Sequence, residues 1–138
     1  MDIQALSQEK AVDAKTVHAI HTHKTGALIR ASVRIGALLG RAGPRALSDL
    51  TRYGEKVGLA FQIADDVLDV EGDAVEMGKG VKKDQAANKL TYPGVVGLEK
   101  AKAVSRKLLK EALASLSRFD RRADPLRALA RFMIDRKH

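Results

Sequence analysis

Asp65, Asp66 and Asp69 form an Asp-Asp-x-x-Asp group inside an apolar run from Leu59 to Val70 (LAFQIADDVLDV). On a helix, Asp65 and Asp69 stand one turn apart and project side by side from one face. Asp66 points about 100° away, where it can support a ligand or a helix end. Two carboxylates on an apolar face repel one another and resist desolvation, so a cation normally sits between them. Oxygen ligands in a chain with no cysteine point to a hard ion, most simply Mg²⁺ shared with a phosphate group. The bland alternative is a solvated acidic helix turn, and the apolar surroundings weigh against it.

Lys24 is the complementary oddity, a cation in the middle of the apolar stripe Val17, Ile20, Leu28, Ala31, Ile35, Leu38, Leu39. It either snorkels past the edge of a core or serves an anion within one. Beside a buried acid pair, an internal anion held by Mg²⁺ and lysine is the more economical account. Lys79, between Gly78 and Gly80, can close over the same anion because glycine lets the backbone come near; solvated loop lysines are the ordinary alternative. His18, His21 and His23 resemble a metal cluster, but His23 falls opposite His21 and no third ligand is evident, which argues against zinc.

The elements that must position these groups read as helices, since no stretch alternates apolar and polar residues for more than a few positions. A first helix is expected from about Asp13 to Arg41, ending near Gly40 and Gly43. A second runs from about Pro44, a good first-turn residue, to about Val70, with Leu47, Leu50, Gly54, Val57, Gly58, Phe61 and Leu68 inward. Gly54 and Gly58, costly in a helix interior, predict close packing against a neighbour. Periodicity lapses from Glu71 to about Leu90, a stretch with three glycines and four lysines; a loop of that length is usually functional or disordered. A third helix is expected from Thr91–Pro93 to Phe119, with Leu98, Ala101, Ser105, Leu109, Ala112, Leu116 and Phe119 inward. Asp124 as cap and Pro125 in the first turn open a short last helix to about Arg136. The fold class expected is all-α, with long antiparallel helices in a single domain over residues 1–138.

Composition narrows the function. With 138 residues, 45% hydrophobic and 30% charged, the chain suits one folded domain rather than a disordered segment. No apolar run reaches the length of a membrane helix, and the start MDIQALSQEK lacks the pattern of a signal peptide. Absence of cysteine fits a reducing cytoplasm. The net charge of +8 invites a nucleic-acid reading, but there is no tryptophan, and two tyrosines and three phenylalanines make poor stacking platforms. A positive field equally suits phosphorylated metabolites.

Three blocks then carry a resemblance that runs over essentially the whole chain: His23-Lys24-Thr25-Gly26-Ala27-Leu28-Ile29, Gly58 through Asp69, and Gly78-Lys79 followed by Lys89-Leu90-Thr91-Tyr92-Pro93. In order and spacing they resemble the trans-isoprenyl diphosphate synthases, most closely the short-chain bacterial farnesyl diphosphate synthases (geranyltranstransferases). The resemblance implies a partial isoprenoid-synthase-type helical bundle. It also implies a Mg²⁺-dependent prenyltransferase that ionises an allylic diphosphate and condenses it with isopentenyl diphosphate. By the same resemblance Asp65, with Asp66 and Asp69, would be the metal site of the second aspartate-rich motif. Lys24 and Lys79 would grip the diphosphate, with Lys89 at the family's further basic position. Thr25 and Gln62 would turn their oxygens toward the carbocation.

Family members are much longer, and their first aspartate-rich motif and isopentenyl diphosphate pocket have no counterpart here. The chain therefore reads as a C-terminal half. Four helices leave the inner faces of the first and second uncovered, so apolar surface is expected to remain exposed. Self-association as a homodimer, or recruitment of a complementary N-terminal half, is expected in turn. A helical fragment that binds a diphosphate or a partner without turnover is the second reading, and a nucleic-acid binder the third.

Overall fold

The structure, a computed structural model, describes Thr16 and residues 25–77 and 92–135. Among the described residues there are helices and no strands: α1 (Ala27–Leu39), α2 (Pro44–Met77), α3 (Tyr92–Val96), α4 (Leu98–Ser115) and α5 (Asp124–Ile134), with a 3₁₀ turn at Arg121–Ala123. The all-α expectation holds. The lysines at 24, 79 and 89, the three histidines and most of the expected first half of the first helix lie outside the described residues.

α2 is the axis. One side of it, through Tyr53, Val57, Ala60, Ile63, Ala64 and Val67, packs on Ala101, Leu108, Leu109, Ala112 and Leu116 of α4. Ala60, Ala101 and Ala112 are wholly buried, so small side chains set the close approach of the two helices. The pairs Lys56–Glu111, at 2.9 Å, and Glu71–Lys102 show that α2 and α4 run antiparallel. The Glu71–Lys102 pair also corrects the expected end of the second helix. α2 does not stop at Val70 but continues to Met77, because Glu71 gains a partner on α4 that sequence periodicity cannot reveal. In the third predicted helix Gly97 breaks the run. Its φ of 96° is a conformation that side-chain-bearing residues rarely adopt, and it divides α3 from α4.

The turn from α1 to α2 places its left-handed residue at Arg41 (φ 59°) rather than at the flanking glycines. Arg41 N–H donates to Leu38 and Ala42 N–H to Ala37, each at 3.0 Å. This Schellman-type closure satisfies the last carbonyls of α1. The last helix also differs from expectation. Asp124 is its first residue rather than its cap. The capping carboxylate is that of Asp120, which accepts from the Arg122 N–H at 2.9 Å and starts the 3₁₀ turn.

α5 folds back across α2 and α4, and one side chain fastens the junction. The Arg127 guanidinium donates to the carbonyls of Leu116 (2.8 Å), Phe119 (2.7 Å) and Asp120 (2.9 Å), and pairs with Asp124 at 2.8 Å. Hydrogen bonds from a charged donor contribute roughly 1.5–3 kcal/mol each at most. Arg127→Ala is expected to cost about 2–3 kcal/mol in urea unfolding, and Arg127→Lys to recover little, because an ammonium cannot span three carbonyls. Parental stability in the alanine variant would contradict this role.

Tyr53, 2% exposed, adds a second tie, donating its hydroxyl to the Leu126 carbonyl at 2.7 Å. Burial pushes its phenol up to about 12 from 10.0. The folded chain thus keeps this proton where the unfolded chain loses it. Its contribution is complete below about pH 10 and declines as pH rises toward 12, by at most about 1.4 kcal/mol per pH unit. Tyr53→Phe should flatten that part of the stability-versus-pH curve; an unchanged slope between pH 10 and 11.5 would overturn the assignment.

α1 covers the opposite side of α2, antiparallel to it, through Arg30–Glu55 (3.0 Å) and Arg34–Thr51 (2.7 Å). Its packing side is Gly26, Ile29, Val33 and Ala37, not the leucine-rich stripe read as inner from the sequence. Leu28 (69%), Ile35, Leu38 and Leu39 (81%) face solvent. That stripe lies across the helix from α2, where no described element covers it. The expected exposed apolar surface is present.

Candidate active site

The site is built on the crossing of α1 over α2. At Gly58 the helices touch backbone to backbone: a Cβ placed there would lie 2.8 Å from Gly26 Cα and 3.3 Å from its carbonyl oxygen. At Gly54 the same test meets Arg30 Cα at 3.2 Å and Val33 Cβ at 3.3 Å. The two glycines therefore do what their spacing predicted. At 100° per residue, the strip of α2 that holds Gly58 continues through Gln62, Asp65 and Asp69. Because the helices are antiparallel, the N-terminal end of α1, with Thr25 just before it, lies toward the carboxylate end of α2.

The three aspartates differ in environment. Asp65 is half-buried, Asp69 is exposed and Asp66 is buried, with 8% exposure. Gln62 and Thr25 are half-buried. Asp65 and Asp69 thus share the α1-facing strip with Gln62, whereas Asp66, about 100° round the helix, is buried. Gln62, Asp65 and Asp69 lie along one strip of α2, beyond the point where Gly26, next to Thr25, crosses Gly58. The lysines expected there lie outside the described residues. Sequence reasoning missed the Glu71–Lys102 pair two residues beyond the motif, where the hydrogen bond that the Lys102 ammonium donates to the Glu71 carboxylate raises Lys102 above its ordinary value. Two residues 31 positions apart on different helices leave no local signal.

Among the described residues, no group of three or more His, Cys, Asp or Glu side chains is gathered closely enough to cage a metal ion. Mg²⁺ does not require such a cage. It keeps several waters and binds through one or two carboxylates plus substrate phosphates. A half-buried and an exposed carboxylate one turn apart, open on one side, fit that habit.

Residues 1–130 match the polyprenyl synthetase family. The chain belongs to that family. It is 45% identical to the farnesyl diphosphate synthase of Escherichia coli K12 over 140 aligned residues, covering 99% of this chain and 46% of that one. It is 46% identical to the dimethylallyltranstransferase of Fischerella ambigua, covering 92% of this chain and 37% of the relative. The apo crystal structure of an FPP/GFPP synthase from Zymomonas mobilis superposes with a TM-score of 0.78 at 34% identity, over 96% of this chain and 42% of that one. This polyprenyl synthetase family chain spans less than half the length of each of these relatives. No helix among its described residues is long and apolar enough to cross a membrane.

Proposed function

We propose that this chain supplies the diphosphate-gripping half of a prenyl diphosphate synthase of the farnesyl type. Its substrates would be an allylic diphosphate and isopentenyl diphosphate. The observation that supports this most is the strip of Gln62, Asp65 and Asp69 running on from the Gly58–Gly26 crossing. It sets both carboxylates in line along α2 with the point where α1 crosses it. Asp65 and Asp69 would hold Mg²⁺, with Asp66 supporting the motif from within the packing. Bound Mg²⁺ supplies positive charge where negative charge develops on the departing diphosphate, which lowers the barrier to ionisation.

The chain's own cations act on the same charge. Lys24, one residue before Thr25, would grip the diphosphate together with Lys79 and Lys89. Thr25 and Gln62 present oxygen atoms to the positive carbon, and the apolar side chains around them exclude water that would capture it. The departing diphosphate then takes up the proton released when the new carbon–carbon bond forms. Condensation also requires a pocket for isopentenyl diphosphate, which in this reading comes from a complementary N-terminal half.

A radiolabelled condensation assay tests the proposal. The chain alone is expected to give no product. Joined behind the part of the E. coli synthase that lies outside the match, it is expected to convert allylic and isopentenyl diphosphates into a longer prenyl diphosphate. Lys24→Ala should remove that activity. A folded fusion with no turnover would contradict the reading.

A further inference from the structure

On the α4 side of α2, three helices leave a pocket of about 190 Å³. Its apolar lining is Ala64, Val67 and Leu68 of α2 with Ile134 of α5. Its polar lining is poorly satisfied. Ser105 of α4 is 5% exposed, yet its hydroxyl meets the Ala60 carbonyl only at 3.5 Å, well beyond the usual O–H···O length of about 2.7–2.8 Å. Lys102 is held by Glu71. Arg106, one turn further along α4 and exposed, makes no ion pair among the described residues, and its charge works against that of Lys102. A buried hydroxyl on a long hydrogen bond and a guanidinium without a counter-charge border the same apolar hollow, and packing explains neither.

We infer that this pocket is a second binding site, separate from the aspartate strip, for a small organic phosphate: its head on Arg106 and the Ser105 hydroxyl, its short alkyl body against Ala64, Val67, Leu68 and Ile134. The planar fork of a guanidinium suits phosphate oxygens, and Lys102 adds positive field without leaving Glu71. The apolar lining gives a ligand with a hydrocarbon body an advantage over a bare anion. The volume falls below the roughly 300–1,000 Å³ of pockets for drug-sized ligands, so the body must be short. Asp135 also borders the pocket, and its carboxylate weakens the hold on an anion. Ala64, Val67 and Leu68 are the sequence neighbours of Asp65, Asp66 and Asp69, so an occupant rests against the turns of α2 that carry the motif. Neither Mg²⁺ nor the aspartates take part in this site.

Calorimetric titration of n-butyl phosphate into the 138-residue chain in EDTA tests this, with inorganic phosphate and butanol as the head and the body alone. Butyl phosphate is expected to bind at one site, at least roughly tenfold tighter than inorganic phosphate, and to raise the melting temperature. Arg106→Gln should weaken that binding roughly tenfold or more and leave the melting temperature of the free chain unchanged, because the side chain is exposed and unpaired. Asp135→Asn should act in the opposite direction and tighten it. Lys24→Ala, which removes a cation of the proposed active site, should leave it as it was. Butyl phosphate that binds no tighter than inorganic phosphate, or an affinity that neither Arg106→Gln nor Asp135→Asn alters, overturns the proposal. Loss of binding in Lys24→Ala places the probe at the proposed active site and overturns it too. The synthase reading is tested separately by turnover, so either can fail while the other stands.

Discussion

Gly58→Ala is expected to cost about 2–3 kcal/mol of stability, near the upper end for one added methyl group. The new Cβ would come to 2.8 Å from Gly26 Cα, well inside any tolerated contact. What it meets is backbone, so no side chain can swing aside. The strain must be relieved by moving the start of α1 away from α2. Thr25 is the residue next to Gly26, so diphosphate binding should fall further than the loss of folded chain explains. Gly54→Ala is the built-in comparison. Its nearest neighbours, Arg30 Cα and Val33 Cβ, stand at 3.2 and 3.3 Å, which a shift of a few tenths of an ångström relieves, so its cost should be smaller. Thermal and urea unfolding of both variants check the ranking. A Gly58→Ala chain as stable as its parent would mean that α1 does not cross there.

The second large effect concerns the carboxylates, whose different burial predicts different consequences. Asp65→Ala removes a half-buried charge from the strip shared with Gln62 and Asp69. It should leave the fold intact, yet reduce Mg²⁺-dependent affinity for a diphosphate at least roughly tenfold, an amount typical of losing one charged ligand contact. Asp66→Ala should act differently. Asp66 is buried to 8% exposure, so its truncation leaves a gap within the packing, and unfolding measurements should register it before any binding assay does. If the two variants exchanged these behaviours, the division of roles between neighbouring aspartates would be wrong.

Much of this was legible from sequence because helix periodicity is a local property. Of the inward positions of the third predicted helix, Ala101, Ser105, Leu109, Ala112 and Leu116 are buried, and Leu98 and Phe119 at its ends are partly buried. The glycines of α2 mark the α1 crossing as their spacing required. What periodicity cannot supply is the partner. Glu71 extends α2 because Lys102 lies across from it. Arg41 occupies a left-handed position normally left to glycine because the backbone hydrogen bonds of the turn close around it. The stripe of α1 was misread as facing inward for the same reason: an apolar face states only that something should cover it. The other side wins the contact with α2 because Gly26 lets the two backbones touch and Ile29 and Val33 pack against the core. At the candidate site, Asp65 and Asp69 fell on one strip as their four-residue spacing implied, whereas the burial of Asp66 depended on tertiary packing.

The most direct test of the central claim is calorimetric titration of a non-reactive allylic diphosphate analogue into the 138-residue chain, with and without Mg²⁺, for the parent and for Asp65→Ala. The account predicts that Mg²⁺ strengthens binding to the parent and that this gain disappears in the variant while its melting temperature is unchanged. Equal Mg²⁺-dependent affinities in the two proteins would contradict it.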